Sequence, residues 1–407
     1  MFKFDFSHLK GDFFGGLTAG IVALPLALAF GAQTELGAIA GLYGAIALGV
    51  LAAFFGGTPI QVSGPTAPMT VVSAVVVTQS LAYSGAESVV QALPYIVATF
   101  FLAGLVEMLF GFAKLGKYIR YIPYPVVSGF MSGIGIIIII TQFFPMLGYN
   151  AMKDEALIQQ QLPHAEEQIL EKIIKEEEAL GMLSGVMSIE DLEETVKRAQ
   201  RVSAEEIREV ASSQAKSITG GTVGTIRHLT RPFQIPGGVN GYNLLLALGT
   251  IVIVYGFKYI TKAIPSSLAA LVLMTLTAYF FFPEKVPIIG DIPAGLPSLQ
   301  LGFVTAFTDL GMLGTMLKFA FTLAALGAID SLLTSVVADN ITKTRHDSNQ
   351  ELIGQGIGNM GAALIGGLPG AGATMRTVIN VQSGGKTKLS GIIAGLFLLA
   401  VLLGVGT

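Results

Sequence analysis

The chain has 407 residues, 52% of them hydrophobic and only 13% charged, with 50 glycines and a formal net charge of −3. Such an excess of apolar over charged side chains excludes an ordinary soluble domain and marks a polytopic membrane protein. The absence of cysteine excludes disulfides and thiolate metal sites, and the lack of a basic run or RNA-binding motif excludes a nucleic-acid partner.

The first residues, 1–14, mix acids with bases and carry no small-residue cleavage site, so they read as mature sequence. Apolar runs of span length then predict helices near 13–35, 39–56, 92–113, 124–147, 242–260, 264–282, 315–338, 351–367 and 389–405. Two shorter apolar segments, 67–80 and 373–382, predict broken, half-length helices within the bilayer. Together they make about eleven crossings. Lys3 and Lys10, Lys114 to Arg120, Lys258 and Lys262, Lys343 and Arg345, and Lys386 and Lys388 then fall on one side. By the positive-inside rule that side, with the amino terminus, is cytoplasmic.

Residues 149–237 break the pattern, being rich in Glu, Lys, Arg and Gln, with amphipathic spacing over 166–180 and 189–202. Ser188 before Asp191 and Ser203 before Glu206 resemble capping boxes. The segment reads as a soluble helical insert on the outer face, either a docking or gating module or a tolerated surface insertion. The expected divisions are a first membrane part at 1–148, the insert at 149–237, membrane helices at 238–282, an outer loop at 283–314 and a second membrane part at 315–407.

An internal echo singles out the half-length segments. Gly56-Gly57-Thr58-Pro59 followed by Gly64-Pro65-Thr66-Ala67-Pro68-Met69-Thr70 parallels Gly366-Gly367-Leu368-Pro369 followed by Gly372-Ala373-Thr374-Met375-Arg376-Thr377. A helix that begins inside a membrane leaves its first N–H groups unpaired and puts the positive end of its dipole there, which attracts an anion. Paired interrupted segments in corresponding halves point to a transporter's substrate site. Thr66 and Thr374 open the two segments, where their hydroxyls and the free N–H groups face either an anion or simply each helix end as caps. Arg376, one turn in, either grips a planar oxyanion, points away, or closes a pair with Asp330.

Asp330 interrupts an apolar helix. A carboxylate at bilayer depth costs roughly 2.5 kcal/mol or more, so it faces a cavity or a partner. Thr334, at i+4, shares its face, and the two could supply oxygen ligands to a small hard cation. The competing reading is an Asp held by backbone or by Arg376. Glu107 has no local basic partner and reads as a bundle-facing carboxylate or a proton relay, and Gln355 and Asn359 read as helix glue. No nucleophile–base pairing, P-loop or dinucleotide fingerprint is present, and histidines 8, 164, 228 and 346 lie outside the spans, so an enzyme is disfavoured.

The opening helix, Gly11 to Gly20 and then Ala23-Leu24-Pro25-Leu26-Ala27-Leu28-Ala29-Phe30-Gly31, resembles the first helix of the sulfate permease family of anion transporters, as does the second half-segment with its trailing Gly384-Gly385-Lys386-Thr387. The stretches Ala324–Thr334 and Asp347–Gly356 look like the family's cyanobacterial sodium-dependent bicarbonate transporters. The resemblance implies an all-α fold of two inverted seven-segment repeats, with core and gate domains and two half-helices meeting at mid-membrane. On that pattern the insert replaces a short loop, and the chain ends about three segments early, without the cytoplasmic regulatory domain.

The resemblance also implies a sodium site at Asp330, Thr334, Gly372, Ala373 and Thr374. It implies an anion site at Phe30, Thr66, Ala67, Ala373, Thr374 and Arg376. The function expected from it is sodium-dependent bicarbonate symport into the cell across the inner membrane, by a homodimer at full length and with no cofactor beyond the coupling ion. Proton-coupled uptake of sulfate or a dicarboxylate, an anion channel and a non-transporting scaffold are the alternatives.

Overall fold

The computed structural model describes residues 7–84, 89–121, 124–184, 203–260, 266–286 and 297–404. In chain order its helices are α1 Leu9–Ala32, α2 Ala38–Phe55, α3 Ala67–Ser84, α4 Val89–Phe112, α5 Tyr124–Thr141, α6 Phe143–Leu147 and α7 Glu155–Ser184. After these come α8 Ala204–Thr219, α9 Gly221–Arg227, α10 Gly241–Gly256, α11 Ser266–Phe281, α12 Leu310–Thr342, α13 Ser348–Leu364, α14 Thr374–Gln382 and α15 Lys388–Gly404. Strands β1 Ser63–Gly64 and β2 Ala371–Gly372 interrupt the otherwise helical chain. Each lies in the lead-in to one of the two short segments, and no helical periodicity announces it.

Five of these helices, α1, α2, α3, α4 and α12, are long and apolar enough to cross a membrane. α3 runs 18 residues, beyond the expected end at 80, whereas α14 has nine, about 14 Å of rise, and falls well short of a bilayer core. Several helices begin at a side-chain cap. Asp309 Oδ1 accepts from the N–H groups of Gly311 and Met312 at 3.0 and 3.3 Å to open α12, and Asp347 Oδ1 accepts from Asn349 and Gln350 at 3.0 and 3.1 Å to open α13.

The chain divides into two compact units, residues 1–134 with 288–407, and residues 135–287. In the first, Met69, Val77, Ile96, Phe100, Met316 and Leu323 join α3, α4 and α12 in one buried apolar cluster. α13 packs against both α2 and α4 through small residues: a side chain at Gly356 would strike the backbone of Gly104, and Gly358 faces Leu48 and Ala52. Without a hydrophobic drive between helices in lipid, such close backbone approach supplies the dispersion contacts that hold them. Asp12, at the start of α1, accepts from the N–H groups of Lys386 and Thr387 at 2.7 and 2.9 Å and from the Thr387 hydroxyl at 2.6 Å, which ties α1 to the turn between α14 and α15.

The turn between α12 and α13 joins residues that the sequence reading left unpaired. His346 Nδ1 lies 2.7 Å from Asp339 Oδ2, and its Nε2 lies 2.8 Å from Ser348 Oγ. Acid, imidazole and hydroxyl thus form one hydrogen-bonded group within the turn. Asp339 Oδ2 also accepts the His346 N–H at 3.1 Å, so the group clasps the turn that Lys343 begins at φ 59°.

The second unit holds the insert. Phe144, Tyr149, Leu157, Ile158, Ala165, Ala211 and Ala215 form its apolar centre. At its edge the buried Asp154 receives Arg231 through two bonds of 2.7 and 3.1 Å, the Tyr149 hydroxyl at 2.9 Å and the Leu157 N–H at 3.1 Å. Burial pushes the Asp154 carboxyl up, but the bonds from Arg231, Tyr149 and Leu157 outweigh it and hold the group below the usual carboxylate range. Of the expected caps, Ser203 stands directly before α8, while Ser188, Asp191 and the stretch 189–202 lie outside the described residues.

Candidate functional site: two helix ends and an unpaired carboxylate

β1 and β2 pair antiparallel, Ser63 opposite Gly372 and Gly64 opposite Ala371. The ladder continues through the Ala373 N–H, which donates to Val62 O at 3.0 Å, and the Val62 N–H, which donates to Thr377 Oγ1 at 3.1 Å. The two echoing stretches therefore cross, and α3 and α14 begin beside the crossing. Gly370 permits it, since a Cβ there would collide with the Gly64 carbonyl.

α12 supplies a third wall. Asp330, Ser331, Thr334 and Ser335 are all buried and form two stripes at i, i+4 spacing. Ser331 Oγ accepts the Gly372 N–H at 3.0 Å, and Thr334 Oγ1 donates to the Gly372 carbonyl at 2.9 Å. Thr334 Oγ1 also lies 2.7 Å from Thr374 Oγ1. Because the single Thr334 proton is spent on Gly372, Thr374 is the donor between the hydroxyls. Thr374 does not cap its own helix, as the start of α14 has no side-chain cap.

Among the described residues, three buried polar atoms around these ends lack a hydrogen-bond partner: Asp330 Oδ2, Thr66 Oγ1 and Arg376 Nη1. Asp330 is 6% exposed, and the Thr66 hydroxyl lies beside its carboxyl group. Arg376 is 2% exposed and donates from Nη2 to the Pro65 carbonyl at 3.0 Å. Among the described residues it forms no ion pair, with Asp330 or any other carboxylate. Among the described residues the closed Asp330–Arg376 pair is therefore absent, and no backbone N–H holds Asp330 Oδ2. Groups of this kind normally find partners when buried, so three together around two helix ends have the character of a ligand site. Ala67, Ala373 and Thr374, beside them, are only partly buried. Phe30 is partly buried near the carboxyl end of α1, and among the described residues no hydrogen bond or ring contact ties it to the helix ends.

Glu107, whose role was left open, is fully buried, with Oε2 accepting from Asn359 Nδ2 at 2.8 Å and Oε1 without a partner. Glu351 escaped the sequence reading altogether, although it is a buried acid bonded to Gly57, Thr58, Gln61 and Gln355. Its signal was the four-residue spacing with Gln355 and Asn359, which makes a polar stripe on an apolar helix.

The family model described as "Sulfate permease family" matches residues 9–189 and 208–407. The bicarbonate transporter BicA of Picosynechococcus sp. is 39% identical over 409 residues, covering 100% of this chain and 59% of that protein. BicA of Synechocystis sp. is 40% identical, covering 99% and 58%. The putative sulfate transporter YvdB of Bacillus subtilis is 28% identical, covering 98% and 61%. The chain thus spans about three-fifths of the length of these curated relatives. Among solved structures, the transmembrane domain of a cyanobacterium bicarbonate transporter BicA superposes with TM-score 0.75 at 39% identity, covering 99% of this chain and 85% of that one. The structure of SLC26A9 gives 0.67 at 20% identity, which speaks to the fold alone.

Proposed function

The chain belongs to the sulfate permease family, and from that premise we propose that it carries bicarbonate into the cell together with sodium, by alternating access of a core domain against a gate domain. The observation that carries this reading is the buried Asp330 carboxyl, with no ion-pair partner and with Oδ2 unbonded, on the helix that walls two paired helix ends. The amino-terminal end of α14, which no side chain caps, and the Arg376 guanidinium offer positive charge to an oxyanion. Asp330, left alone, opposes that anion.

Sodium, the second cargo, resolves the conflict. Asp330, the Thr334 and Thr374 hydroxyls and the Gly372 carbonyl are hard oxygen donors, and each of these oxygens has a lone pair to spare for a cation. Ala373 completes the sodium set and, with Phe30, Thr66, Ala67, Thr374 and Arg376, the anion set. Relatives named for bicarbonate, at 39% and 40% identity, support that anion over sulfate, named for a relative at 28%. The same reading places the amino terminus in the cytoplasm of an inner-membrane homodimer.

Uptake of labelled bicarbonate and labelled sulfate by the full-length protein, with and without sodium, tests it. Saturable bicarbonate uptake that follows the sodium gradient supports the reading. Sulfate uptake driven by a proton gradient would replace it, with Asp330 carrying the proton.

A further inference from the structure

α13 presents Glu351, Gln355 and Asn359 at four-residue intervals along one buried face. Glu351 acts only as an acceptor. Its Oε2 takes the N–H groups of Gly57 and Thr58 at 2.9 and 2.8 Å, and its Oε1 takes the side-chain amides of Gln61 and Gln355, each at 2.8 Å. Gly57, Thr58 and Gln61 all belong to the lead-in of α3. Gln355 adds a 2.6 Å bond to Ser63 Oγ in β1, and Lys388 Nζ holds the Gly56 carbonyl at 2.5 Å on the adjoining residue.

Asn359 treats the lead-in of α14 in the same way. Its Oδ1 accepts the Gly370 N–H at 2.8 Å, and its Nδ2 donates to the Gly370 carbonyl at 3.0 Å. An amide bonded to both polar groups of one residue fixes that residue's peptide planes as a strand neighbour would. Gly370 has no room for a side chain of its own against Gly64, so Asn359 supplies the hold that packing cannot.

We propose that Glu351 and Asn359 are positioning residues that aim the two helix ends, Glu351 setting the path into α3 and Asn359 the path into α14. This rests on reading those ends as the anion and sodium site. One rigid helix then fixes both halves of the site, though neither residue bonds to Thr66, Thr374 or Asp330. Charge dictates the choice of Glu351, because four N–H donors converge on it and a glutamine in its place must turn an NH2 group toward two of them. An aspartate at 359 keeps the bond from the Gly370 N–H but sets an acceptor against the Gly370 carbonyl and Glu107.

The chain has no cysteine, so once any cysteine outside these 407 residues is replaced by serine, a single one can report each helix end in the full-length protein in membranes. Ala67→Cys and Ala373→Cys place it at partly buried positions, to be labelled by a water-soluble thiol reagent in the backgrounds Glu351→Gln, Glu351→Asp, Asn359→Asp and Asn359→Ser. Glu351→Gln should change the labelling rate at position 67 by about tenfold and at 373 by less than about twofold, with the reverse for Asn359→Asp, the scale of one well-made buried hydrogen bond. Glu351→Asp and Asn359→Ser should move the same positions by less. In cysteine-free protein carrying these changes, half-saturating bicarbonate should rise by roughly tenfold while the maximal rate holds within about threefold. Labelling that shifts equally at both positions in every background, or at neither, would overturn the proposal. Site-selective labelling in a parent protein that takes up no bicarbonate would support the positioning and overturn only the transport reading.

Discussion

The hydroxyl of Thr334 lies 2.7 Å from that of Thr374, which joins the middle of α12 to the first residue of α14. Because Thr334 also donates to the Gly372 carbonyl at 2.9 Å, one side chain links the carboxylate-bearing helix to the lead-in and the start of the second helix end. Thr334→Val keeps the side-chain volume and removes one proposed sodium ligand and both bonds. Apparent sodium affinity should fall by roughly tenfold, while maximal uptake at saturating sodium falls by less than about threefold. Uptake titrated against sodium checks this, and an unchanged half-saturating concentration counts against the assignment.

Asp330 gives the complementary case. Its Oδ2 has no partner to lose, so Asp330→Asn should leave membrane insertion, yield and thermal stability close to those of the parent while abolishing sodium-stimulated uptake. Sodium dependence that survives in this variant would remove Asp330 from the coupling site.

On the proposed orientation, with the amino terminus in the cytoplasm, residues 149–237 lie outside the cell. Protease added to intact cells should cleave within this region. Cleavage only in inverted vesicles would reverse the orientation.

The insert should also respond to acid. Asp154 has a native pKa below its ordinary value, so its ionisation contributes stability that is fully present above the unfolded pKa, about 4, and is lost as pH falls through the lowered native value. Hydrogen exchange at the start of α7 should therefore stay slow at pH 5 and accelerate below about pH 4. In Asp154→Asn, which breaks the two-bond contact with Arg231, protection should be lost already at neutral pH, with no further loss on acidification across that window. A variant as protected as the parent would show that the pair does not hold the insert together.

The helices and the echo were legible because lipid imposes long apolar runs and makes every exception conspicuous. Asp330 stood out as a charge in an apolar helix, and the glycines of 366–372 as a break too near the next run to allow a full span. The structure brings Thr334, Gly372 and Thr374 together, sets Asp330 one turn before Thr334 on the same helix and Thr66 beside Asp330, and among the described residues shows no hydrogen bond or ring contact from Phe30 to them. What could not be read depends on contacts between distant parts of the chain. Arg376 reaches Pro65, 311 residues away in sequence, and the two-residue ladder is far too short to show an alternating pattern. Glu351 was hidden for a different reason: an acid near the start of a helix looks like ordinary dipole compensation until the turn at Gly57 is seen to close over it.

In the proposed cycle the Asp330 carboxylate opposes an incoming anion until bound sodium cancels its charge. Each cargo should therefore tighten the other by the same factor, because binding linkage is reciprocal. Calorimetric titration of sodium into the full-length protein at several fixed bicarbonate concentrations tests this most directly, since it needs no transport cycle. Sodium affinity should rise with bicarbonate and level off, by a factor of roughly 5 to 150, and bicarbonate affinity should rise with sodium by the same factor. A sodium affinity that is constant across all bicarbonate concentrations would contradict a shared site at Asp330 and the two helix ends.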